Sequence, residues 1–470
     1  MFEMALKHIG VVAVILPLAA CMAPEPEAGR GIAIPAQFLS ATGTKTALPR
    51  GWPKLFGSPE LARLSNEALS DNFDIAVAGA KISQARAQLG QSGAALQPQI
   101  SGYGDANRSL SPGTARAKTA PFNSTANNNF DLGFTASYIL DFWGKNASGV
   151  EAAKDQLAAT EFDRDTVRLS TLAAVSNAYL QILASQDRLR IARENIRLAE
   201  EVLEAIRGRI KVGTSTALEE ASQEVIATTA RAVVPALELS VQQSRNALAV
   251  LLGQVPERVK ISGGGLGSLR VPRISAGLPS QLLTRRPDIA AAEARLLGQK
   301  ANVEAARAAL LPNISLNGKL GLQSLTLQNL IRPEAILASL ASSLTAPIFD
   351  GGNLQGQLDA DRALQQQLLF TYRKSIIQAL ADVENALAAV RLQTRHEALQ
   401  NEAIRASRRA YEINLTALKT GTIDLVSLLN SETSLFNAQD ALVQIRLAKF
   451  QAYVSLIQAL GGGWDMKDTL

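Results

Sequence analysis

Two stretches of this chain carry apolar residues at intervals of seven. Val175, Ile182, Leu189, Ile196, Leu203 and Ile210 form the first series. Val383, Val390, Glu397, Ile404, Tyr411 and Leu418 form the second, with one polar break. Such a repeat favours helices joined along a narrow seam over helices wrapped around a globular core. The spacing predicts two very long helices, about 145–211 and about 353–419, each a rod of roughly 100 Å at 1.5 Å per residue. A Gly-Thr turn follows each, then a return helix at about 216–252 and about 424–460, with Pro235 expected to kink the first. A shorter helix, about 72–97 and about 288–311, precedes each rod and ends at a Pro-x-Ile-Ser that cannot continue it.

Between the shorter helix and the rod the period changes from seven to two. Phe130, Leu132, Phe134, Ala136, Tyr138 and Leu140 alternate with Asp131, Gly133, Thr135, Ser137, Ile139 and Asp141. Ile314, Leu316, Gly318, Leu320 and Leu322 alternate with Ser315, Asn317, Lys319, Gly321 and Gln323, and 336–348 repeats the pattern. Residues 100–108 are the weakest strand, with Gly102 and Gly104 on the apolar side. Segments of about ten residues with one apolar and one polar face are the signature of a transmembrane β-barrel. A half-buried sheet alternates in the same way, but the chain offers no evident compact core for such a sheet to cover.

The plan is written twice. Asp74-Ile-Ala recurs as Asp288-Ile-Ala and Gln97-Pro-Gln-Ile-Ser101 as Leu311-Pro-Asn-Ile-Ser315, 214 residues further on. Lys211-Val-Gly-Thr214 recurs as Lys419-Thr-Gly-Thr422, and Leu252-Gly253 as Leu460-Gly461, 208 residues on. The change in offset is confined to the connection between Ser101 and Gly144. These signals divide the chain into a first repeat at 57–253 (β-hairpin about 98–141, helical hairpin about 145–253), a linker at 254–286, a second repeat at 287–464 (β-hairpin about 312–349, helical hairpin about 353–461) and a tail at 465–470. The fold class is mainly α with a β membrane portion, built from two tandem repeats of helix, β-hairpin and long helical hairpin. Four strands cannot span a bilayer with open edges, so copies of the chain must close the sheet together.

Composition narrows the function. The chain is 47% hydrophobic, 5% aromatic and 19% charged, with a net charge of +5. No run reaches the ~20 apolar residues of a membrane-spanning helix. The basic residues are interleaved with acids along the helices, which argues against a nucleic-acid partner. One Cys and two His exclude a disulfide scaffold and leave no histidine constellation for catalysis or metal binding; His396, in the rod, reads as a surface residue. Gly263-Gly264-Gly265 neither follows a strand nor supplies a phosphate-loop Lys, so it reads as linker. No enzyme activity, metal or diffusible cofactor is expected.

Residues 1–20 read as a signal peptide, with Lys7 and His8 ahead of an apolar stretch too short to span. It ends Leu18-Ala19-Ala20-Cys21, which resembles the lipobox of bacterial lipoproteins. That resemblance implies a covalent lipid on Cys21, and residue 22 (Met rather than Asp) implies passage to the outer membrane. Residues 21–56, rich in Pro, read as a lipid-anchored extended tether.

From Cys21 to about residue 464 the chain resembles the TolC-like outer-membrane efflux channels, in the lipoprotein branch that serves RND-type multidrug pumps. The resemblance is carried by the Cys21 start, by Gly277-Leu-Pro-Ser-Gln-Leu-Leu-Thr-Arg-Arg-Pro-Asp-Ile289, by Ala346-Pro-Ile-Phe-Asp-Gly-Gly352 and by Lys419-Thr-Gly-Thr-Ile-Asp-Leu-Val-Ser-Leu-Leu429. It implies a homotrimer whose twelve-stranded β-barrel in the outer membrane continues as a coiled-coil α-helical periplasmic barrel. It also implies docking to a periplasmic adaptor (membrane fusion) protein and an inner-membrane RND-type pump. The expected function is a passive duct for drugs or other small toxic compounds. A protein or peptide secretion duct, and a lipid-tethered periplasmic scaffold, are the alternatives; paired alternating hairpins argue against the scaffold.

Two sites follow from the same resemblance. The turns, through Arg209, Lys211, Gly213, Thr214, Lys419, Gly421 and Thr422, are expected to meet the adaptor. The periplasmic gate is expected around Asp424, Leu425, Val426, Ser427, Leu429 and Asn430. Related channels commonly place acids on the inner helix there, whereas this chain has Ser427 and Asn430. Closure is therefore expected to rest on packing by Leu425, Val426 and Leu429 and on hydrogen bonds from Asn430, with Asp424 as the nearest acid.

Overall fold

A computed structural model describes residues 34–39, 49, 51–111, 125–420 and 422–464. Cys21, Gly421 and the tail at 465–470 fall outside the described residues. A 3-10 turn, Trp52–Phe56, leads into α1 (Pro59–Asp71) and α2 (Phe73–Ala94), then β1 (Gln99–Ser111), β2 (Thr125–Leu140), α3 (Lys145–Lys211) and α4 (Ala217–Leu251). The second half repeats the order with α5 (Pro287–Ala308), β3 (Asn313–Ser324), β4 (Ile336–Thr345), α6 (Asn353–Lys419) and α7 (Leu425–Ala459). Matching helices have equal lengths: 67 residues in α3 and α6, 35 in α4 and α7, 22 in α2 and α5.

Local chemistry sets where these helices begin. Ser58 Oγ accepts from the Leu61 amide at the start of α1, and Asn72 Oδ1 accepts from Asp74 and Ile75 at the start of α2. Asn72 therefore sets the start of the helix expected at about 72–97 and parts it from α1, an element the sequence reading did not anticipate. Both rods begin at a left-handed glycine, Gly144 (φ 74°) and Gly352 (φ 85°), which lets a strand turn directly into a helix. The carboxylates of Asp141 and Asp350 accept the exposed amides there. Thr216 and Glu219 form a reciprocal capping box on α4, which continues as one helix through Pro235.

The four strands make one antiparallel sheet of order β1-β2-β3-β4. Gln99 faces Ser137 and Asn313 faces Thr345, so the two hairpin registers are related by the 214- and 208-residue offsets seen in the sequence. Register places Gly102 and Gly104 opposite Phe134 and Leu132, whose larger side chains cover the gaps on the apolar face. On the polar face Gly133 lies opposite Gly321, and the Tyr103 hydroxyl lies across both. Lys319 sits over the Tyr103 ring, 4.8 Å from its centre, and 3.6 Å from Asp131. Two adjacent glycines there make room for one aromatic ring.

The chain does have a conventional core, which corrects the sequence reading. It lies around the middle of α3, where Leu172, Val175, Leu180, Ile182 and Leu183 are buried. Residues 52–56 belong to it rather than to an extended tether: Trp52 and Phe56 are fully buried, and the Phe56 ring lies 6.1 Å from that of Phe450 on α7. The segment at 254–286 is likewise packed, contributing Val259, Ile261 and Leu266. Gly263, Gly264 and Gly265 all have positive φ, and a side chain at Gly265 would collide with Asp187 on α3. Asp187 also accepts the Leu266 amide at 2.8 Å. The glycine run is the bend that presses this segment onto the rod.

Small residues let α5 approach α3 closely. Ala159, Ala290 and Ala291 are buried there, and a Cβ on Gly298 would lie 3.2 Å from the Ala152 carbonyl. α5 packs on both long rods, α3 and α6, whereas its counterpart α2 packs on one of them, α3. Phe73 and Val77 on α2, and Phe370 and Ile377 on α6, remain exposed. One interface is thus complete within the chain, and its repeat equivalent is open.

Candidate functional site

The seven-residue series behaves as a seam. Val175, Ile182, Leu203, Val383, Tyr411 and Leu418 are buried, and no member of either series is exposed. Glu397, the polar break, accepts from Arg446 at 2.8 Å and Lys449 at 2.7 Å, both on α7. Burial alone would raise its carboxyl; the two cations outweigh that and hold it below the usual carboxylate range. His396 beside it is exposed.

Each rod carries its turn about 100 Å from the sheet, by helix length. At the first turn Gly213 has φ 73° with open space around it, and the Gly213 and Thr214 amides donate to Ile210 and Arg209 carbonyls at 2.9 Å. This left-handed stop satisfies the last carbonyls of the helix. Thr214 Oγ1 adds a bond to the Arg209 carbonyl, and in the second turn the Thr422 amide and hydroxyl both donate to Ala417. Lys211, Gly213, Thr214, Lys419 and Thr422 are exposed.

Arg209 differs from the other tip residues. Its guanidinium donates to the Leu418 carbonyl at 3.2 Å and to the Thr214 carbonyl at 3.0 Å. It ties the end of α3 to the C-terminal end of α6, where a cation is favoured by the helix dipole. Its role in this structure is a brace between the two tips.

The residues of the expected gate divide between two faces. Leu425 is buried and Leu429 half-buried, in a cluster with Val202, Ile206, Tyr411, Leu418, Leu428 and Leu435 of the same chain. Val426, Ser427 and Asn430 are exposed on the opposite face of α7. Leu425 and Leu429 therefore join the two hairpins of one copy, leaving Val426 as the exposed apolar member. Asp424 caps α7 by accepting from the Ser427 amide at 3.0 Å, and these bonds lower its carboxyl below the usual range. Among the described residues, no group of three or more His, Cys, Asp or Glu could hold a metal ion.

A buried acid beside this cluster escaped the sequence reading. Glu432 on α7 has no exposure to solvent. The readable signal was its place seven residues after Leu425, on the seam rather than the solvated face.

A family model described as outer membrane efflux protein matches residues 64–254 and 278–462. The chain is 37% identical over 466 residues to the pyoverdine export outer membrane protein OpmQ of Pseudomonas aeruginosa, covering 98% of both chains. It is 30% identical over 461 residues to the cation efflux system protein CusC of Escherichia coli, covering 96% of this chain and 98% of that one. The fold matches the open state of the MtrE outer membrane channel of Neisseria gonorrhoeae with a TM-score of 0.83. That match has 28% identity and covers 95% of this chain and 99% of the other.

Proposed function

The chain belongs to the outer membrane efflux protein family, and on that premise we propose that three copies close into one duct docked to an adaptor and a pump. It is an outer-membrane channel of an efflux system. The observation that carries the assembly is the interface found once complete and once open. β2 pairs with β3 between repeats, while the equivalent edges of β4 and β1 have no partner among the described residues. Joining β4 of one copy to β1 of the next, and α6 of one to α2 of the next, satisfies both. The number three, and hence twelve strands, follows from the resemblance.

In this arrangement the apolar sheet face meets outer-membrane lipid and the polar face, with Asp131, Lys319, Asn317 and Ser343, lines the duct. A lipid on Cys21 anchors the other end of the N-terminal segment. Lys211, Gly213, Thr214, Lys419, Gly421 and Thr422 contact the periplasmic adaptor, with Arg209 holding the tips in register. Energy comes from an inner-membrane RND-type pump, and the cargo is drugs or other small toxic compounds. In cells relying on this channel, deletion should raise accumulation of a fluorescent dye or antibiotic, and a wild-type copy should lower it again. A Cys21→Ser copy should no longer incorporate labelled palmitate. Unchanged accumulation on deletion would count against the efflux reading.

A further inference from the structure

All four long helices converge on Glu432. The Gln223 Nε2 amide on α4 donates to the Ala199 carbonyl on α3 at 3.0 Å and to Glu432 Oε2 at 3.4 Å. Glu432 Oε1 and Gln223 Oε1 have no partner, although both residues are completely buried. No basic side chain among the described residues pairs with this carboxyl. From α6 it faces the neutral phenol of Tyr411; beyond that ring Arg197 and Glu201 on α3 pair with each other. From α4 it faces only Gln223, since Glu220 is bound to Arg207 and Glu224 is exposed. A cavity of about 350 Å³ lies one turn away between α3, α4 and α7, lined by Asn195, Leu237, Thr433, Phe436 and Asp440.

We propose that Glu432 is the proton-binding site of a switch between the two helical hairpins: its neutral carboxyl lets them seat together, and loss of the proton drives them apart. A buried carboxylate with one long hydrogen bond and no counter-ion is unfavourable. Parting α7 from α4 restores its solvation, and the neighbouring cavity leaves room for water to follow. The switch deepens the channel reading and rests on it only in linking hairpin separation to opening of the duct.

Burial pushes the Glu432 carboxyl up from 4.5 to about 7, against the weaker opposing effect of Gln223. The seated state therefore holds the proton more tightly than the parted state. Its advantage is full below pH 4.5 and falls as the pH rises toward 7, by as much as about 300-fold in the seated-to-parted ratio, levelling off above.

The test places spin labels at Glu224→Cys on α4 and Ser434→Cys on α7 in the full-length chain, diluted with unlabelled chain so that the intrachain distance dominates. The distance should lengthen between pH 5 and pH 7.5. With Glu432→Gln added it should stay at the short value throughout, and Glu432→Met should behave alike, which separates loss of charge from loss of the hydrogen bond. Glu432→Gln should also raise the melting temperature at pH 7.5 and leave it unchanged at pH 5. A distance that ignores pH, one that responds equally in Glu432→Gln, or equal melting shifts at both pH values would overturn the proposal. Planar-bilayer recording of the same proteins should show opening that rises with pH in the wild type only. A complete absence of conductance would overturn the channel reading, while the distance result would still decide the switch.

Discussion

At the scale of single residues, three charged side chains near the expected gate are committed to structure. Asp424 is a helix cap, Arg209 spans the two tips, and Glu432 is hidden. The exposed face of α7 presents Val426, Ser427 and Asn430, which are neutral. Divalent cations therefore find little to bind at the expected gate, and block of single-channel current by them should be weak. Asn430→Asp or Ser427→Asp should create a ring of exposed carboxylates in the assembled channel and strengthen the block at least tenfold. Strong block in the wild type that survives Asn430→Ala would contradict this. The sequence indicated which residues gather at this end but not how they divide between faces. Leu425 and Val426 are adjacent and both apolar, and only the packing of α7 against α3 and α6 shows that one is internal.

Among the elements, the rods and strands were legible because each advertises a period. The seven-residue series marks the seam, and alternation marks the strand faces, including the weak β1, whose glycines are covered by Phe134 and Leu132. The core around mid-α3 was not legible. Its N-terminal contribution includes a five-residue 3-10 turn that contains Pro53 and follows Pro49, too short to show periodicity and set in a Pro-rich stretch typical of tethers. The Gly263–Gly265 bend was hidden in the same way, since a left-handed run looks like a flexible linker until its close approach to Asp187 is seen. If Trp52 and Phe56 fasten the chain around the rod, Trp52→Ala should cost about 3–5 kcal/mol in denaturant unfolding. Glu224→Ala on the exposed face of α4 should stay within ~0.5 kcal/mol. Equal effects from the two changes would reduce the turn to a passive leader.

For the whole molecule, duplication is the governing fact. Equal helix lengths and two hairpin registers related by the sequence offsets mean that the second half repeats the first beside it, and the proposed closure extends that succession into a ring. Among the described residues of one chain that succession stops at α2, α6, β1 and β4, where large apolar side chains stand exposed and the two strand edges lack partners. The sequence showed the duplication and the need for other copies. It could not show which faces close, because an exposed and a seam-buried Leu have the same chemistry.

The register of β2 on β3, carried through the repeat, places Ser343 of one copy opposite Asp105 of the next. The measurement that tests this closure most directly is cross-linking of a chain carrying both Asp105→Cys and Ser343→Cys, using a short bifunctional thiol reagent on outer membranes. Closure of three copies through these edges predicts covalent species of one, two and three chain masses and none larger, with nothing beyond a dimer from either single change. A chain that stays at its own mass, or a ladder that continues past three, would contradict it.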